Sequence, residues 1–283
     1  MRCLTPDTME ALACALAECT ENSCLLAGGT DAVIRLRKSG EEPDLLVYPG
    51  GVPELREIIL TEDSLRIGSM VTMARLADAA EMTGEFRAIA EAAGGVGSPQ
   101  IRNKATLGGN LCSASPAGDL LPVVWLYGAE IEILRGDGIV RRLPVEQFLL
   151  GPGKTALNPG EAVTAVVFPR TGERAVSAFR KIGSRQHVSI ARESAAAWIS
   201  LREDGTVKEA RLTLGAVSGT PIRVGAVEEL LRGRRLTEET LEAIWPVVAE
   251  TVHSHCRPAN RAYKTGAARG LTADLLEALA AQI

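Results

Sequence analysis

The sequence predicts an α+β protein in two parts, and two patterns carry that prediction. From the N-terminus to Ala93, short apolar runs alternate with segments of helical period, as in a layered α/β arrangement. Beyond Pro169 the order changes: three strand-like runs come first and helices follow, as in an α+β domain built on one sheet. The chain has 283 residues, a length that suits one large domain or two smaller ones. With 46% apolar residues and a formal charge of −4, it can bury a core and is not a disordered chain.

Thr5-Pro6-Asp7 supplies an N-cap and a proline at the first helical position. Met9, Leu12, Ala13 and Leu16 then recur at helical spacing. Cys24-Leu25-Leu26-Ala27 reads as a short buried strand, broken by Gly28-Gly29. Thr30-Asp31 can cap a second helix carrying Val33, Ile34 and Leu36. Asp44–Tyr48 reads as a strand, Leu55–Leu60 and Leu65–Ile67 as a strand pair, and Thr72–Ala80 and Glu85–Ala93 as helices. The stretch Gly94–Asp119 holds six Gly and two Pro and shows no period. A long irregular segment inside a compact domain is often functional. Leu120–Tyr127 resumes as a helix, Ala129–Leu134 and Ile139–Leu143 form a hairpin, and Ala162–Phe168 is a strand. Composition shifts at Pro169-Arg170-Thr171-Gly172. Strands follow at Ala175–Ile182, Ala195–Leu201 and Val207–Leu214, with Asp204-Gly205 as a tight turn. Helices are expected at Ala226–Leu231, Glu238–Ser254 and Thr265–Ala281.

Composition also excludes function classes. An acidic balance without a basic stripe or interleaved aromatics argues against nucleic acid as a partner. The longest apolar runs, such as Ile89–Ala93 and Ser194–Leu201, fall far short of the ~20 residues that span a membrane. Asp7 and Glu10 interrupt the place where a secretory signal would have its apolar core, so a cytoplasmic location is expected. The six cysteines form no CxxC and read as reduced, mostly buried thiols. His253 and His255 read as a plain helix end before Pro258.

Two glycine pairs carry the chemistry. In Leu25-Leu26-Ala27-Gly28-Gly29-Thr30-Asp31-Ala32 a strand runs through two glycines into a helix start. Backbone amides at such a turn form a cradle for a pyrophosphate, or simply a tight turn. The motif is neither GxGxxG nor a P-loop. The second pair lies in Thr106-Leu107-Gly108-Gly109-Asn110, followed by Cys112, Ser113, Ser115 and Asp119. There Gly108-Gly109 would let amides reach a second phosphate or a ring edge, and Asn110 can donate and accept at once. Asp119 suits ribose or ribityl hydroxyls, or it is an ordinary helix N-cap. Two such pairs in one domain point to a long, diphosphate-containing ligand.

LLAGGTD together with TLGGNLCSASPAGDLLP closely resembles the FAD-binding (medium) subunit of the molybdenum hydroxylases. That family includes the bacterial xanthine dehydrogenase FAD-binding subunit and the carbon monoxide dehydrogenase medium subunit. A third stretch, Phe179–Arg185, resembles the part of that family's C-terminal domain that closes over the flavin. The resemblance implies a two-lobed FAD-binding domain of the PCMH (vanillyl-alcohol oxidase-like) type over 1–170, with sub-lobes of about 1–60 and 61–170. A C-terminal domain of the carbon monoxide dehydrogenase flavoprotein kind would follow over 171–283, a three-stranded antiparallel sheet with a helical bundle. It implies an oxidoreductase subunit with FAD as cofactor and no catalytic acid or base. Ala27, Gly28, Gly29, Thr30 and Asp31 would hold the diphosphate with Leu25, Leu26 and Ala32 alongside, Thr106 through Asn110 would form the second cradle, and Asp119 would take the ribityl or ribose side. Val163 would pack near the adenine, and Lys181 would place a cation near the flavin or diphosphate. Arg185 would tune the flavin through its charge or make a surface ion pair. With Cys112 the sole cysteine between 25 and 255, no iron–sulfur cluster is expected in this chain.

The implied partners are a small [2Fe–2S] subunit and a large molybdopterin subunit, in a heterohexamer of two trimers. The implied acceptor is NAD⁺ or a quinone. A xanthine dehydrogenase type leads. A carbon monoxide, nicotinate or aldehyde dehydrogenase subunit, a flavin-free scaffold, and a free-standing FAD dehydrogenase are the alternatives.

Overall fold

A computed structural model describes residues 1–40, 42–171, 174–185 and 188–283. Gly172, part of the predicted composition shift, lies outside the described residues. The elements run β1 (Arg2–Leu4), α1 (Met9–Ala17), β2 (Cys24–Leu25), α2 (Ala32–Ser39), β3 (Leu45–Val47), β4 (Ile58–Leu60) and β5 (Ser64–Gly68). Next come α3 (Met73–Asp78), α4 (Arg87–Gly95), α5 (Pro99–Arg102), α6 (Leu107–Ser113), α7 (Leu120–Leu126), β6 (Glu130–Arg135) and β7 (Val140–Pro144). Then follow α8 (Val145–Phe148), β8 (Leu149–Gly151), β9 (Lys154–Thr155), β10 (Glu161–Pro169), β11 (Ala175–Gly183), β12 (Ala191–Leu201) and β13 (Val207–Gly215). The chain closes with β14 (Ile222–Arg223), α9 (Gly225–Leu231), α10 (Glu238–His255) and α11 (Arg261–Ala280).

Two compact units form. The first comprises Met1–Arg75, Pro99–Ala114 and Gly128–Arg170; the second comprises Leu76–Ser98, Ser115–Tyr127 and Thr171–Ile283. In the first unit, β1 and β2 flank β3 in a parallel sheet. Leu12 and Leu16 of α1 bury against Leu45 and Val47, because parallel strands covered by a helix need apolar residues on that face. Beside it stands a five-stranded antiparallel sheet in the order β4-β5-β10-β6-β7. In the second unit, β11-β12-β13-β14 form an antiparallel sheet. Alternation along β12 decides its two faces. Ala195, Ala197 and Ile199 join the cluster that includes Ile244, Val248 and Leu275 of α10 and α11, while Thr213 on β13 donates its hydroxyl to Pro122 O of α7 at 2.7 Å.

Several expectations need correction. The first helix starts at Met9, not at Pro6: Thr8 Oγ1 accepts from Ala11 N at 3.1 Å. Thr5 and Thr8 both offer a cap hydroxyl. Thr8 wins because the stripe of Leu12 and Leu16 needs its first turn there, while Leu4 is held in β1 and its carbonyl accepts from Tyr48 N. Strand Cys24–Ala27 shrinks to Cys24–Leu25, and Leu55 lies inside a 3₁₀ turn (Pro53–Arg56) before β4 rather than in a strand. The stretch Gly94–Asp119 is not irregular throughout, since α5 and α6 lie in it. Helices of four and seven residues are too short to print a period on the sequence. The C-terminal sheet gains a fourth short strand, Ile222–Arg223. The six cysteines are free, but only Cys256 is buried; Cys3, Cys14 and Cys112 are exposed.

Candidate functional site

In the first unit, β2 ends where Leu26 N donates to Val47 O at 2.8 Å. The chain then turns through Ala27–Asp31 into α2. Gly29 has φ +71°, a conformation that L side chains occupy only with strain. Gly28 is needed for closeness: a Cβ there would lie 1.9 Å from the carbonyl oxygen of Lys104. The first glycine pair is therefore pressed, backbone on backbone, onto the segment that leads into the second.

The two pairs differ in where their amides bond. Among the described residues, no acceptor serves the amides of Ala27, Gly28, Gly29, Thr30, Asp31 or Ala32. The next amide, Val33 N, returns to the helix pattern by bonding Gly29 O at 3.2 Å. Half-buried amides need water or a ligand, and a run of them before a helix N-terminus favours an anion. The Thr30 hydroxyl beside them has no partner among the described residues either. At the second pair the amides are already used. Leu107 N donates to Val71 O (3.0 Å), Gly108 N to Ser69 O (2.8 Å) and Asn110 N to Thr106 O (2.9 Å). Gly109 N bonds the N-cap hydroxyl of Thr106 at 3.1 Å. Thr106–Asn110 is thus the first turn of α6 rather than an open amide cradle. Its offering is a bare glycine surface, with a Cβ on Gly109 lying 3.8 Å from Ala27 Cβ. It also offers the Asn110 side chain, whose Oδ1 is buried without a partner.

Ser113, which sequence reasoning did not single out, ties the two motifs together. Its Oγ lies 2.9 Å from Gly109 O and 3.4 Å from Asp31 Oδ2, one hydrogen shared between two acceptors. The signal was available: Ser113 stands one helical turn beyond Gly109. Asp31 occupies the cap position of α2 but makes no capping bond. Val163 is buried in β10, opposite Ile133 and beside a β-bulge. The bulge residue Thr164 accepts from Ser69 N at 2.8 Å. Since Ser69 O accepts from Gly108 N, Val163 stands two hydrogen bonds from the second glycine pair.

Asp119 and Lys181 belong to the second unit. Asp119 sits at the N-cap position of α7 yet makes no capping bond. Its Oδ2 accepts from Lys181 Nζ at 2.6 Å, and its Oδ1 is buried without a partner. Burial pushes the Asp119 carboxyl up to about 6, with Lys181 pulling the other way. Lys181 Nζ also donates to Gly95 O at 2.7 Å and Ser189 O at 3.3 Å. The Lys181 charge is therefore matched locally by Asp119, which leaves Asp119 Oδ1 as the open acceptor. Gly95 and Ser189 carried no sequence signal, because only their carbonyls act. Arg185 makes neither of the roles considered for it plain; its guanidinium holds Val188 O at 2.9 and 2.6 Å.

Within the first unit, the run of amide donors without an acceptor suits a phosphate-bearing ligand, and the unpartnered Asn110 Oδ1 can accept from a hydroxyl or an N–H. No group of three or more His, Cys, Asp or Glu among the described residues is placed to hold a metal, and no helix among them is long and apolar enough to cross a membrane. The family described as FAD binding domain in molybdopterin dehydrogenase matches residues 1–171. The family described as CO dehydrogenase flavoprotein C-terminal domain matches residues 177–279. The chain is 32% identical to the nicotinate dehydrogenase FAD-subunit of Eubacterium barkeri, covering 82% of this chain and 79% of that one. It is 37% identical to the xanthine dehydrogenase FAD-binding subunit of Escherichia coli O157:H7, covering 81% and 78%. Among solved structures, a carbon monoxide dehydrogenase from Hydrogenophaga pseudoflava aligns with a TM-score of 0.88 at 25% identity, over 100% of this chain and 98% of the other. On these matches the chain is an oxidoreductase component and belongs to the FAD-binding subunits of the molybdenum hydroxylases.

Proposed function

We propose that this chain is the electron-transfer subunit of a molybdopterin-dependent hydroxylase complex of the xanthine dehydrogenase type. Bound FAD would supply two-electron chemistry between iron–sulfur clusters of a small partner and an acceptor, NAD⁺ or a quinone. A large molybdopterin subunit completes the complex, two trimers to a heterohexamer, in the cytoplasm. The relatives' names support a place in such assemblies; one is the 6-hydroxypseudooxynicotine dehydrogenase complex subunit alpha of Paenarthrobacter nicotinovorans. The division into an FAD-binding domain over 1–170 and a C-terminal domain over 171–283 draws support from the extents of the two family matches.

The single observation that carries the reading is the run of acceptor-free amides from Ala27 to Ala32. Those amides and the Thr30 hydroxyl would hold the diphosphate. Leu25, Leu26 and Asp31 frame the turn. Thr106, Leu107 and Gly108 fix the first turn of α6, so that Gly109 presents bare backbone and Asn110 its free amide group. Asp119 Oδ1 would accept from a ribityl or ribose hydroxyl, and Lys181 orients that carboxylate. Val163 contributes apolar wall for the adenine. A nicotinate dehydrogenase subunit is the second reading, favoured by the 32% identity to that FAD-subunit.

The test is an absorbance spectrum of the purified chain after FAD addition and removal of excess, beside the Gly29→Ala variant. Flavin bands near ~450 nm in the native chain, weakened at least about tenfold in the variant, would support the reading. Equal flavin in both, or none in the intact complex, would remove it. NADH titration of the flavin-loaded complex then tests the acceptor.

A further inference from the structure

Asp119 is steadied from outside its own segment. The residues before it form a turn in which Gly118 N donates to Ser115 O at 2.8 Å, and the end of β13 meets the chain on both sides of Asp119. On the far side Gly215 is pressed against α7: a Cβ there would lie 2.9 Å from Pro122 Cγ. On the near side Ala216 N donates to Pro116 O at 3.1 Å. Ala216 makes that bond with φ +59°, a left-handed conformation that strains any residue with a Cβ. Such a conformation persists only where its surroundings enforce it.

Lys264 of α11 supplies the enforcing contact. Its Nζ donates to Ala216 O and, at 3.0 Å, to Arg192 O. The neighbour of Arg192 is Glu193, fully buried, with neither carboxyl oxygen partnered among the described residues. The ammonium therefore stands beside an acid that it does not touch. Around Glu193, Ile182 lies opposite on β11, Ala195 follows on the same face of β12, and β13 ends at Gly215. Arg180, next on that face of β11, is paired with Glu91 at 2.9 Å, and the Arg192 guanidinium lies over the Tyr263 ring at 5.8 Å. Burial pushes the Glu193 carboxyl up to about 8, and Lys264 is the charge that pulls the other way.

We propose that Lys264 is a positioning residue for the Asp119 carboxylate, holding the Ala216 turn against Pro116, and that ionised Glu193 draws its ammonium away. Asp119 matters here through the flavin reading, on which this rests: its Oδ1 is there the acceptor for a ribityl or ribose hydroxyl. While neutral, Glu193 makes no claim on Lys264 and the clamp stands. As pH rises Glu193 gives its proton to solvent, and a buried carboxylate without a counter-ion is a costlier orphan than a carbonyl. Nζ reaches neither carboxyl oxygen while it holds the two carbonyls, so pairing means releasing them. Ala216 then loses its support and Pro116 its tie. Asp119 itself titrates at about 6, below this window.

The experiment measures the Kd of FAD for the full chain at pH 7 and pH 9, with hydrogen exchange at the Ala216 amide in the same proteins. In the native chain Kd should rise at least about fivefold between the two, and the Ala216 amide should lose protection. In Glu193→Gln both should stay within about twofold. Equal pH profiles in the native chain and Glu193→Gln would overturn the proposal. Lys264→Met should bind FAD at pH 7 as weakly as the native chain does at pH 9, with no further weakening on raising the pH, and Lys264→Arg should restore tighter binding. Native affinity in Lys264→Met would overturn the clamp. Should Lys264→Met not fold, the native chain against Glu193→Gln decides alone. A native chain that binds no FAD at either pH would overturn the proposed function. Ala216 protection that still falls with pH in the native chain but not in Glu193→Gln would then uphold the clamp, and equal protection would overturn it as well.

Discussion

The two units differ in the polar groups they leave without partners. In the first unit they are chiefly donors, the amides from Ala27 to Ala32, half-buried or, at Asp31, exposed, where water or a ligand can reach them; Asn110 Oδ1 is the one buried acceptor among the described residues there. In the second they are chiefly carboxylate acceptors, Asp119 Oδ1 and both carboxyl oxygens of Glu193, beside the Ser200 hydroxyl, all with almost no solvent access. Reachable donors can wait for an anion at little cost. A buried carboxylate cannot wait, because desolvation of a charge is far more costly than desolvation of an amide. The second unit resolves this in two ways. Asp119 is met by Lys181 at 2.6 Å. Among the described residues Glu193 on β12 has no such partner: Lys264 Nζ acts on it only from a distance and is itself bonded to Arg192 O and Ala216 O. Burial pushes the Glu193 carboxyl up to about 8, so it is mostly neutral at pH 7.

The largest expected effect sharpens this contrast between the two carboxyls. Both stand above their ordinary values, 3.8 for Asp119 and 4.5 for Glu193. The folded chain therefore binds more protons than the unfolded chain over that range, and stability falls as pH rises. Asp119 contributes its share of the fall between about 4 and 6, and Glu193 between about 4.5 and 8. Glu193→Gln keeps the neutral shape and removes the second contribution. Its stability should equal the native chain's near pH 5 and exceed it by pH 9 by on the order of 4 kcal/mol, at 1.36 kcal/mol per pKa unit. Urea unfolding at both pH values measures this. Parallel pH profiles for the two proteins would mean that Glu193 finds a partner or water in the folded chain. Next in size is Gly28→Val, aimed at the donor side. Its Cβ would strike the Lys104 carbonyl, and backbone cannot swing away as a side chain can. A loss of about 3 kcal/mol, seen in thermal unfolding together with lost flavin, is the expected result. A native melting temperature would show that the turn and the 104–106 segment are not in register as described.

The glycine pairs also show how much a sequence discloses. Residue types marked both motifs, and the strands Leu45–Val47, Glu161–Pro169 and Val207–Gly215 lay where apolar runs ended at turn residues. A string of letters does not show where each amide points. Gly28-Gly29 and Gly108-Gly109 read alike, yet one pair has open amides and the other is capped by Thr106 and bonded to Ser69. Helix α6 escaped notice because two glycines and a polar face mask a seven-residue helix. Lys181 drew attention as a cation, but its match to Asp119 joins positions 62 apart in sequence. Glu193 was hidden in SIARESAAAW, where a charged residue reads as solvent-facing; the eleven-residue strand β12 buries it all the same.

The smallest expected effect tests the contrast at its second pair. Thr106→Ala deletes the N-cap of α6 and frees the Gly109 amide. Loss of a threonine cap typically costs about 1 kcal/mol, which a denaturant midpoint with unchanged slope would register. If the amides of Thr106–Asn110 serve only the fold, flavin content should stay within about twofold of native once the chain is folded, unlike Gly29→Ala. Flavin loss as deep as that of Gly29→Ala would show that the first turn of α6 holds the ligand as directly as the turn at Ala27–Ala32. The distinction drawn from the amide accounting would then fall, and the two glycine pairs would act as one cradle.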